Sequence, residues 1–441
     1  VLAESGKLCA AGKPCTDKII KGEKKMQKQK VKVGVVGCGG ICKATYMSNM
    51  VNKFNIIDVV AVADQIDKRA QWMADHYPVK KMTVEEMMND SEIEVIVNLT
   101  YPESHVEISK MAFDHGKHVY CEKMMAPTFE EATMLMNLAR EKGLMYTTAP
   151  DTFLGGWEQS ARKYIDDGIV GEPRTVHAQV TMHYNPETPF FDLAPKYYFF
   201  PLHYGGGFPF DLGGYYLHEM INLFGSIKRV TGFGGNLFPE RTYENPNHPK
   251  YGETFEVNTP TTLMAALEFE NGVLGTFHIS SDSTMTQNFV VTGTQGALKL
   301  GDPNMFNAEL KVTRPGAQPP VGFLAPGQQP KGMQSGAAEE DDDVQKLAEL
   351  VIPDTVSLPL LHGFTDSCRG VGLADMCYAL RNGRRPRCHA DIGYHAIEVI
   401  HGIIESCRTG KIYEMTSHCE RPAMIRPSAY AVSCQEATLD D

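Results

Sequence analysis

The stretch Val31-Lys-Val-Gly-Val-Val-Gly-Cys-Gly-Gly-Ile-Cys42 decides how the first third of the chain reads. Val31–Val36 is a short, β-branched run that ends in glycines, the pattern of a buried strand. The glycines that follow allow a tight turn and let the backbone approach a pyrophosphate seated on the N-terminus of the next helix. Gly37, Cys38, Gly39, Gly40 and Ile41 are therefore candidate contacts to a dinucleotide. Cys42 takes the third position of the Gly-x-Gly-x-x-Gly/Ala pattern, a small residue but a departure. Taken alone, the cluster also reads as an ordinary tight turn. Its context raises it: Ile56–Ala63 is a second strand, and Asp64 ends it where an acid binds a ribose 2′-hydroxyl. An acid there repels a 2′-phosphate, so NAD is expected and NADP less so. The competing reading of Asp64 is a strand-end turn residue.

Working outward, strand and helix alternate to about Pro150. Asp67–Tyr77 carries Ala70, Met73, Ala74 and Tyr77 at helical spacing, and Glu94–Leu99 is a third strand. A helix closed by Gly116 follows, then a strand at His118–Cys121. Thr128 and Glu131 form a capping box for a helix whose apolar stripe is Ala132, Leu135, Met136 and Ala139. Met145–Ala149 is one more strand. Short connections between alternating elements imply a parallel, doubly wound sheet.

After Pro150 the texture changes. One helix, with Trp157, Ala161, Tyr164 and Ile165 on one face, ends at Gly168. Strand-like runs follow at 175–182, 229–233, 261–269, 273–279, 289–292 and 297–300, with Asn271-Gly272 a strong hairpin signal. Strands without intervening helices predict an α+β domain with a large, mostly antiparallel open sheet. Residues from about Arg314 to Ser357 are rich in Pro, Gly and Gln and include the acidic run 339–343, read as a solvated loop. Two helices close the chain near 372–381 and 394–407. The expected division is an extension over 1–30, poorly ordered, a Rossmann domain over 31–150, a substrate and oligomerisation domain over 151–425, and a tail over 426–441.

Composition narrows the function classes. A formal net charge of −12 argues against nucleic-acid binding, which needs a basic face. No apolar run approaches the roughly 20 residues that span a bilayer, and the lysine-rich first 30 residues hold no signal-peptide core. A cytoplasmic location is expected. The 11 cysteines lack framework spacing and any CxxC pair, and HExxH is absent, so reduced thiols and no metal are expected.

Three further places carry candidate chemistry. Glu122-Lys123 follows the fourth strand at the carboxyl edge of the sheet, where ligands of this fold collect. A partly desolvated lysine near a positively charged nicotinamide would have its pKa lowered. The pair also reads as surface charges. Asp211 and Tyr215 lie four apart where a glycine-rich loop runs into a helix, so a carboxylate could orient a phenol as proton carrier. They read equally well as a helix cap and a core aromatic. Asp151, His183 and His218 are candidate contacts to substrate hydroxyls, His218 also reading as a helix-surface or core histidine. The aromatic stretch His183–Tyr204 could wall a pocket, pack a loop or meet another subunit.

Together these pieces resemble the glucose–fructose oxidoreductase/inositol dehydrogenase/rhizopine-catabolism (Gfo/Idh/MocA) family, from Val31 to about Pro422. The matching stretches are the Gly37 turn, Thr100…His105, Gly116–Lys123, Ile165–Pro173 and Gly205–Tyr215. The resemblance implies a Rossmann domain followed by an open-sheet domain that oxidises or reduces sugars, polyols and related alcohols. The lysine of the family's Glu-Lys-Pro motif falls on Lys123, and Thr100, His105 and Glu122 join the cofactor contacts. The Asp-x-x-x-His pair falls on Asp211 and Tyr215, and tyrosine in place of histidine resembles the branch with glucose–fructose oxidoreductase and dihydrodiol and xylose dehydrogenases, where it is taken as the acid/base. Met124 replaces the motif's proline, so a cis peptide between Lys123 and Met124 is not expected.

The expected activity is NAD(H)-dependent oxidation of a ring secondary hydroxyl of a sugar or glycoside, for example on carbon 3, or the reverse. Tyr215 or Lys123 would move the hydroxyl proton and Asp211 would orient the site. Competing readings are a glycosidase that oxidises the sugar transiently and a non-catalytic sugar or cofactor sensor on the same fold. A homo-oligomer is expected from the resemblance.

Overall fold

A computed structural model describes residues 29–182, 207–244, 246–247, 249–314, 355–427 and 436–440. The extension over 1–28, the aromatic stretch with His183, and most of the acidic loop lie outside these residues.

The first sheet has six parallel strands in the order β3-β2-β1-β4-β5-β6: β1 (Val31–Val36), β2 (Ile57–Ala63), β3 (Lys80–Lys81), β4 (Val95–Asn98), β5 (His118–Cys121) and β6 (Tyr146–Thr148). Its central strands are near-continuous apolar runs because helices cover both faces. The helices are α1 (Met47–Asn52), entered through a π-helical segment at Cys42–Tyr46, then α2 (Asp67–His76), α3 (Val84–Asn89), α4 (Pro102–Asp114) and α5 (Phe129–Glu141). Thr128 and Glu131 form the expected reciprocal cap of α5. A second capping box, Thr83 with Glu86, starts α3, a helix that the periodicity argument passed over because it is only six residues long.

In register, Val36 of β1 lies beside Ala63 of β2 and Asn98 of β4, and Asn98 beside Cys121 of β5. The next residues, Gly37, Asp64, Leu99 and Glu122, therefore line up along one carboxyl edge. The strand order reverses between β1 and β4, which opens a crevice at that edge.

The second sheet has nine strands: β7 (Pro173–Thr181), β8 (Ile227–Gly235), β11 (Thr262–Phe269), β12 (Leu274–Ser280), β13 (Thr286–Gly293), β14 (Gly296–Lys299), β15 (Leu310–Thr313), β16 (Thr355–Leu358) and β17 (Tyr413–Glu414). A separate hairpin pairs β9 (Glu240–Thr242) with β10 (Thr254–Glu256). The large sheet is mixed: β7 and β12 run parallel, and the other pairs are antiparallel. β16 claims Thr355–Ser357, which the composition had assigned to a loop, by pairing with β15. β11 alternates inward Leu263, Ala265, Leu267 and Phe269 with outward residues such as Met264, as expected for a sheet covered on one face.

That inner face packs on α6 (Gly156–Asp166), the short α7 (Phe208–Asp211), α8 (Gly213–Phe224) and α10 (Ala390–Thr409), while α9 (Val371–Asn382) rests against β6. Every residue of α8 is buried. α10 touches α5 and β6 as well as β8, so one core runs through both sheets. Among the described residues no helix is long and apolar enough to cross a membrane.

Candidate active site

A cleft of about 500 Å3 opens at the carboxyl edge of the parallel sheet, lined by Gly37, Gly39, Gly40, Ile41, Asp64, Thr100, Glu122, Lys123, Asp211 and Tyr215, with Gln65, Arg69 and Tyr101 beside them. Gly37 is required at its position. Its φ is +99°, and a Cβ there would meet the carbonyl carbon and oxygen of Leu99 at 2.6 Å. Gly40 faces open space. Cys38 does not line the cleft. Its side chain is buried, and its amide donates to Asp64 Oδ2 at 2.7 Å. Asp64 Oδ1 accepts from the Ile66 amide at 2.7 Å, so the acid holds the turn and still borders the cleft. The glycine cradle, the acid beside it and the open edge fit a dinucleotide.

The other wall is built from side chains. Lys123 and Asp211 are ion-paired, both largely shielded from solvent. Lys123 Nζ lies 5.6 Å from the ring centroid of Tyr215. Burial works to lower the lysine's pKa, as the sequence suggests, but Asp211, Tyr215 and Glu122 outweigh it and hold the pKa above the ordinary value. Beside these groups Lys123 is held as a cation. Burial raises the Tyr215 phenol, opposed by Arg369 and Lys123. Asp211 closes α7 and Tyr215 lies in α8, the two short helices meeting at Leu212, and Asp211 caps neither by its side chain.

Glu122 is buried and tied on both oxygens. Tyr46 Oη donates to Oε1 at 2.6 Å, and the Lys123 amide donates to Oε2 at 2.9 Å. Tyr46, from the π-helical segment, thereby fixes the acid that precedes the lysine. The Lys123–Met124 peptide is cis, contrary to the expectation from Met124. Met124 is buried, and its carbonyl is held by His105 Nδ1 at 2.6 Å, so the surrounding contacts set the geometry in place of a proline ring.

Other predicted site residues do different work. His105 is fully buried outside the cleft lining, bridging the Met124 carbonyl and, through Nε2 at 3.1 Å, the Thr100 carbonyl, and burial lowers its pKa. It shapes the cleft floor from behind. Asp151 is also fully buried. Its Oδ2 accepts from the amides of Gly370 at 2.8 Å and Gly372 at 3.0 Å, anchoring the start of α9. His218 is a core residue of α8 whose Nδ1 bonds the Gly214 carbonyl at 2.7 Å, and burial pushes its pKa down to about 4. Short local motifs could not separate these braces from ligands.

Arg369 was missed. Its Cζ lies 5.1 Å from the Tyr215 centroid, and it is 8% exposed. It sits 154 positions after Tyr215 with no local motif around it, so only the fold brings the two together.

Residues 31–149 match the model of the oxidoreductase family with an NAD-binding Rossmann fold, and residues 159–299 match the GFO/IDH/MocA C-terminal domain. The chain belongs to the Gfo/Idh/MocA oxidoreductase family. Inositol 2-dehydrogenase of Salmonella typhimurium is 28% identical over 163 residues, covering 36% of this chain and 47% of that protein. Trans-1,2-dihydrobenzene-1,2-diol dehydrogenase of Bos taurus is 27% identical over 256 residues, covering 58% and 69%. The matches thus span about half to two thirds of these relatives. A levoglucosan dehydrogenase solved with NADH shares the fold, with a TM-score of 0.68 and 19% identity over 88% of this chain and 100% of that one.

Proposed function

We propose that this protein is an NAD(H)-dependent dehydrogenase of a polyhydroxylated ring, oxidising a secondary hydroxyl of a sugar or glycoside, such as that on carbon 3, or running in reverse. The observation that carries the reading is the meeting of Lys123, Asp211 and Tyr215 at the mouth of the cleft that begins at Gly37. Proteins named as dehydrogenases of inositol, of a dihydrodiol and of levoglucosan are among its likenesses, which supports a hydroxylated ring as substrate.

Gly39, Gly40 and Ile41 would hold the cofactor's pyrophosphate by backbone amides at the turn that Gly37 allows, and Asp64 its ribose, which favours NAD over NADP. When bound, the nicotinamide supplies a hydride acceptor or donor. The remaining steps belong to the chain. Lys123, kept charged by Asp211, donates a hydrogen bond to the substrate oxygen and orients it. Tyr215 exchanges the hydroxyl proton. Glu122, locked by Tyr46, keeps the lysine backbone in place. Lys123 as a cation is a hydrogen-bond donor, so Tyr215 is the better proton acceptor of the two.

The outward Phe233, Met264 and Leu274 leave apolar surface on the open face of the large sheet, which supports a homo-oligomer formed through that face.

The test is a screen of the purified protein with NAD and with NADP against sugars, polyols and glycosides. Formation of reduced nicotinamide together with a keto product is expected. Absence of both across the panel would refute the reading. Glycoside cleavage without net NADH would point to transient oxidation, and calorimetric binding without turnover to a sensor.

A further inference from the structure

Two cations flank the Tyr215 ring, and they are held differently. Lys123 is answered by a carboxylate, Asp211. Arg369 forms no ion pair among the described residues. Its Nη2 donates to the neutral Asn304 side chain at 2.6 Å, and its buried Nη1 has no hydrogen-bond acceptor among the described residues. The backbone beneath it is fixed by two side chains. Asn49 Nδ2 of α1 donates to the carbonyls of Ser367 at 3.1 Å and Arg369 at 3.0 Å, and the next amide, Gly370, is bound by Asp151. A guanidinium stays protonated at any working pH. The result is a positive charge, 5.1 Å from the phenol's ring centre, that the buried Glu122 and Asp151 face without forming an ion pair with it.

We propose that Arg369 is a positioning residue for Tyr215, its fixed charge stabilising the phenolate that accepts the substrate's hydroxyl proton. The proposal rests on the reading of Tyr215 as the acid/base. In the oxidation, the substrate O–H proton passes to the phenolate oxygen and yields a neutral phenol. The adjacent C–H bond breaks, its electron pair leaving as hydride to the oxidised nicotinamide, and the carbon–oxygen bond becomes double. Reduction runs the same exchange backwards.

The charged groups facing Tyr215 are Arg369 from the loop before α9, Lys123 and Glu122 after β5, and Asp211 from α7. Burial raises the phenol, Arg369 and Lys123 oppose that rise, and Glu122 and Asp211 add to it. Because Asp211 is ion-paired with Lys123, removing Arg369 strips the cation that no described carboxylate contacts directly. An opposite charge at this range moves a pKa by about one to three units.

The experiment compares wild type with Arg369→Gln, which keeps an amide donor for Asn304 and drops the charge, and with Arg369→Lys, which keeps the charge. Tyr215 ionisation is read from the ultraviolet tyrosinate band as a difference against Tyr215→Phe in each background, which isolates one of the 18 tyrosines. It is expected to move up by about one to three pH units in Arg369→Gln and to return most of the way in Arg369→Lys. The limb of the kcat/KM profile should shift alongside, with a loss of about tenfold or more at neutral pH. A merely structural role would leave the ionisation unmoved in both variants or make Lys behave like Gln. Either outcome overturns the proposal. Should Arg369→Gln not fold, Arg369→Met replaces it in the same comparison. Full turnover by Tyr215→Phe would instead refute the assignment of Tyr215, and the spectroscopic titration separates the two failures without needing a substrate.

Discussion

One wall of the cleft is made by residues that follow adjacent parallel strands, and it presents mainly backbone: Gly37, Gly39, Gly40 and the carboxylate of Asp64. The other wall is made of charged and phenolic side chains, Lys123, Asp211, Tyr215 and, behind them, Arg369, drawn from three separated parts of the chain. A wall of backbone tolerates change in sequence as long as turn geometry survives. A wall of side chains depends on each group and on the braces behind it.

That contrast can be tested by breaking each wall in turn. Tyr215→Phe should have the largest effect, a drop in kcat/KM of about 10²- to 10⁴-fold with NADH affinity nearly unchanged, measured by steady-state kinetics beside fluorescence titration. Equal losses in both would show that the two walls are not separable. Gly37→Ala should do the reverse. The added Cβ meets the Leu99 carbonyl, so stability should fall by about 2 kcal/mol or more and NADH affinity with it, read by urea unfolding and by titration. Asp64→Ser removes the acid while leaving an acceptor for the Cys38 amide, and should move the NADP-to-NAD preference by about tenfold toward NADP. An unchanged ratio would leave Asp64 a turn residue only.

The smallest predicted effect concerns acid. His218, His362 and His395 all belong to the part of the chain after Pro150, and burial pushes each down to about 4. His395 shows why. Its Nε2 accepts from the Ile227 amide at 2.9 Å and therefore cannot carry a proton, while Nδ1 bonds Ser417 at 2.7 Å. The unfolded chain protonates each of these rings near about pH 6.5. The folded chain resists until near 4, so the unfolded state binds more protons in between and stability falls as pH drops. Each ring should cost about 1 kcal/mol between roughly pH 6.5 and 5.5. His395→Asn should flatten part of that slope in a series of thermal melts. A slope unaltered by the variant would remove His395 from the account.

The same contrast explains what could be read from the residues in order. The turn at Gly37 and the acid at Asp64 announce themselves because a parallel strand, its turn and the next strand's end are close in sequence and obey fixed periodicities. The capping box at Thr128 is legible for the same reason. The braces are not. His105, Asp151 and His218 carry the polar groups a ligand would want, but folding turned the first two toward a carbonyl and amides that the sequence does not place nearby, and His218 toward the Gly214 carbonyl one turn back in its own helix. The parallel pairing of β7 with β12 escaped because a β-branched run does not state its partner or direction. Arg369 escaped for the deeper reason that its importance lies in what it stands beside.

The amides anchored by Asp151 have a consequence for anyone who would recombine this protein. The chain leaves the dinucleotide half at Pro150, crosses the large sheet, and then returns: α9 starts on Asp151, His389 bridges to Thr147 of β6, and Glu436 bonds the amides of Asn55 and Ile56 ahead of β2. A cut after Pro150 would therefore sever a fold rather than release a module. A graft that brought a new substrate sheet would have to bring the returning helices with it, matched to the old half's edge strand.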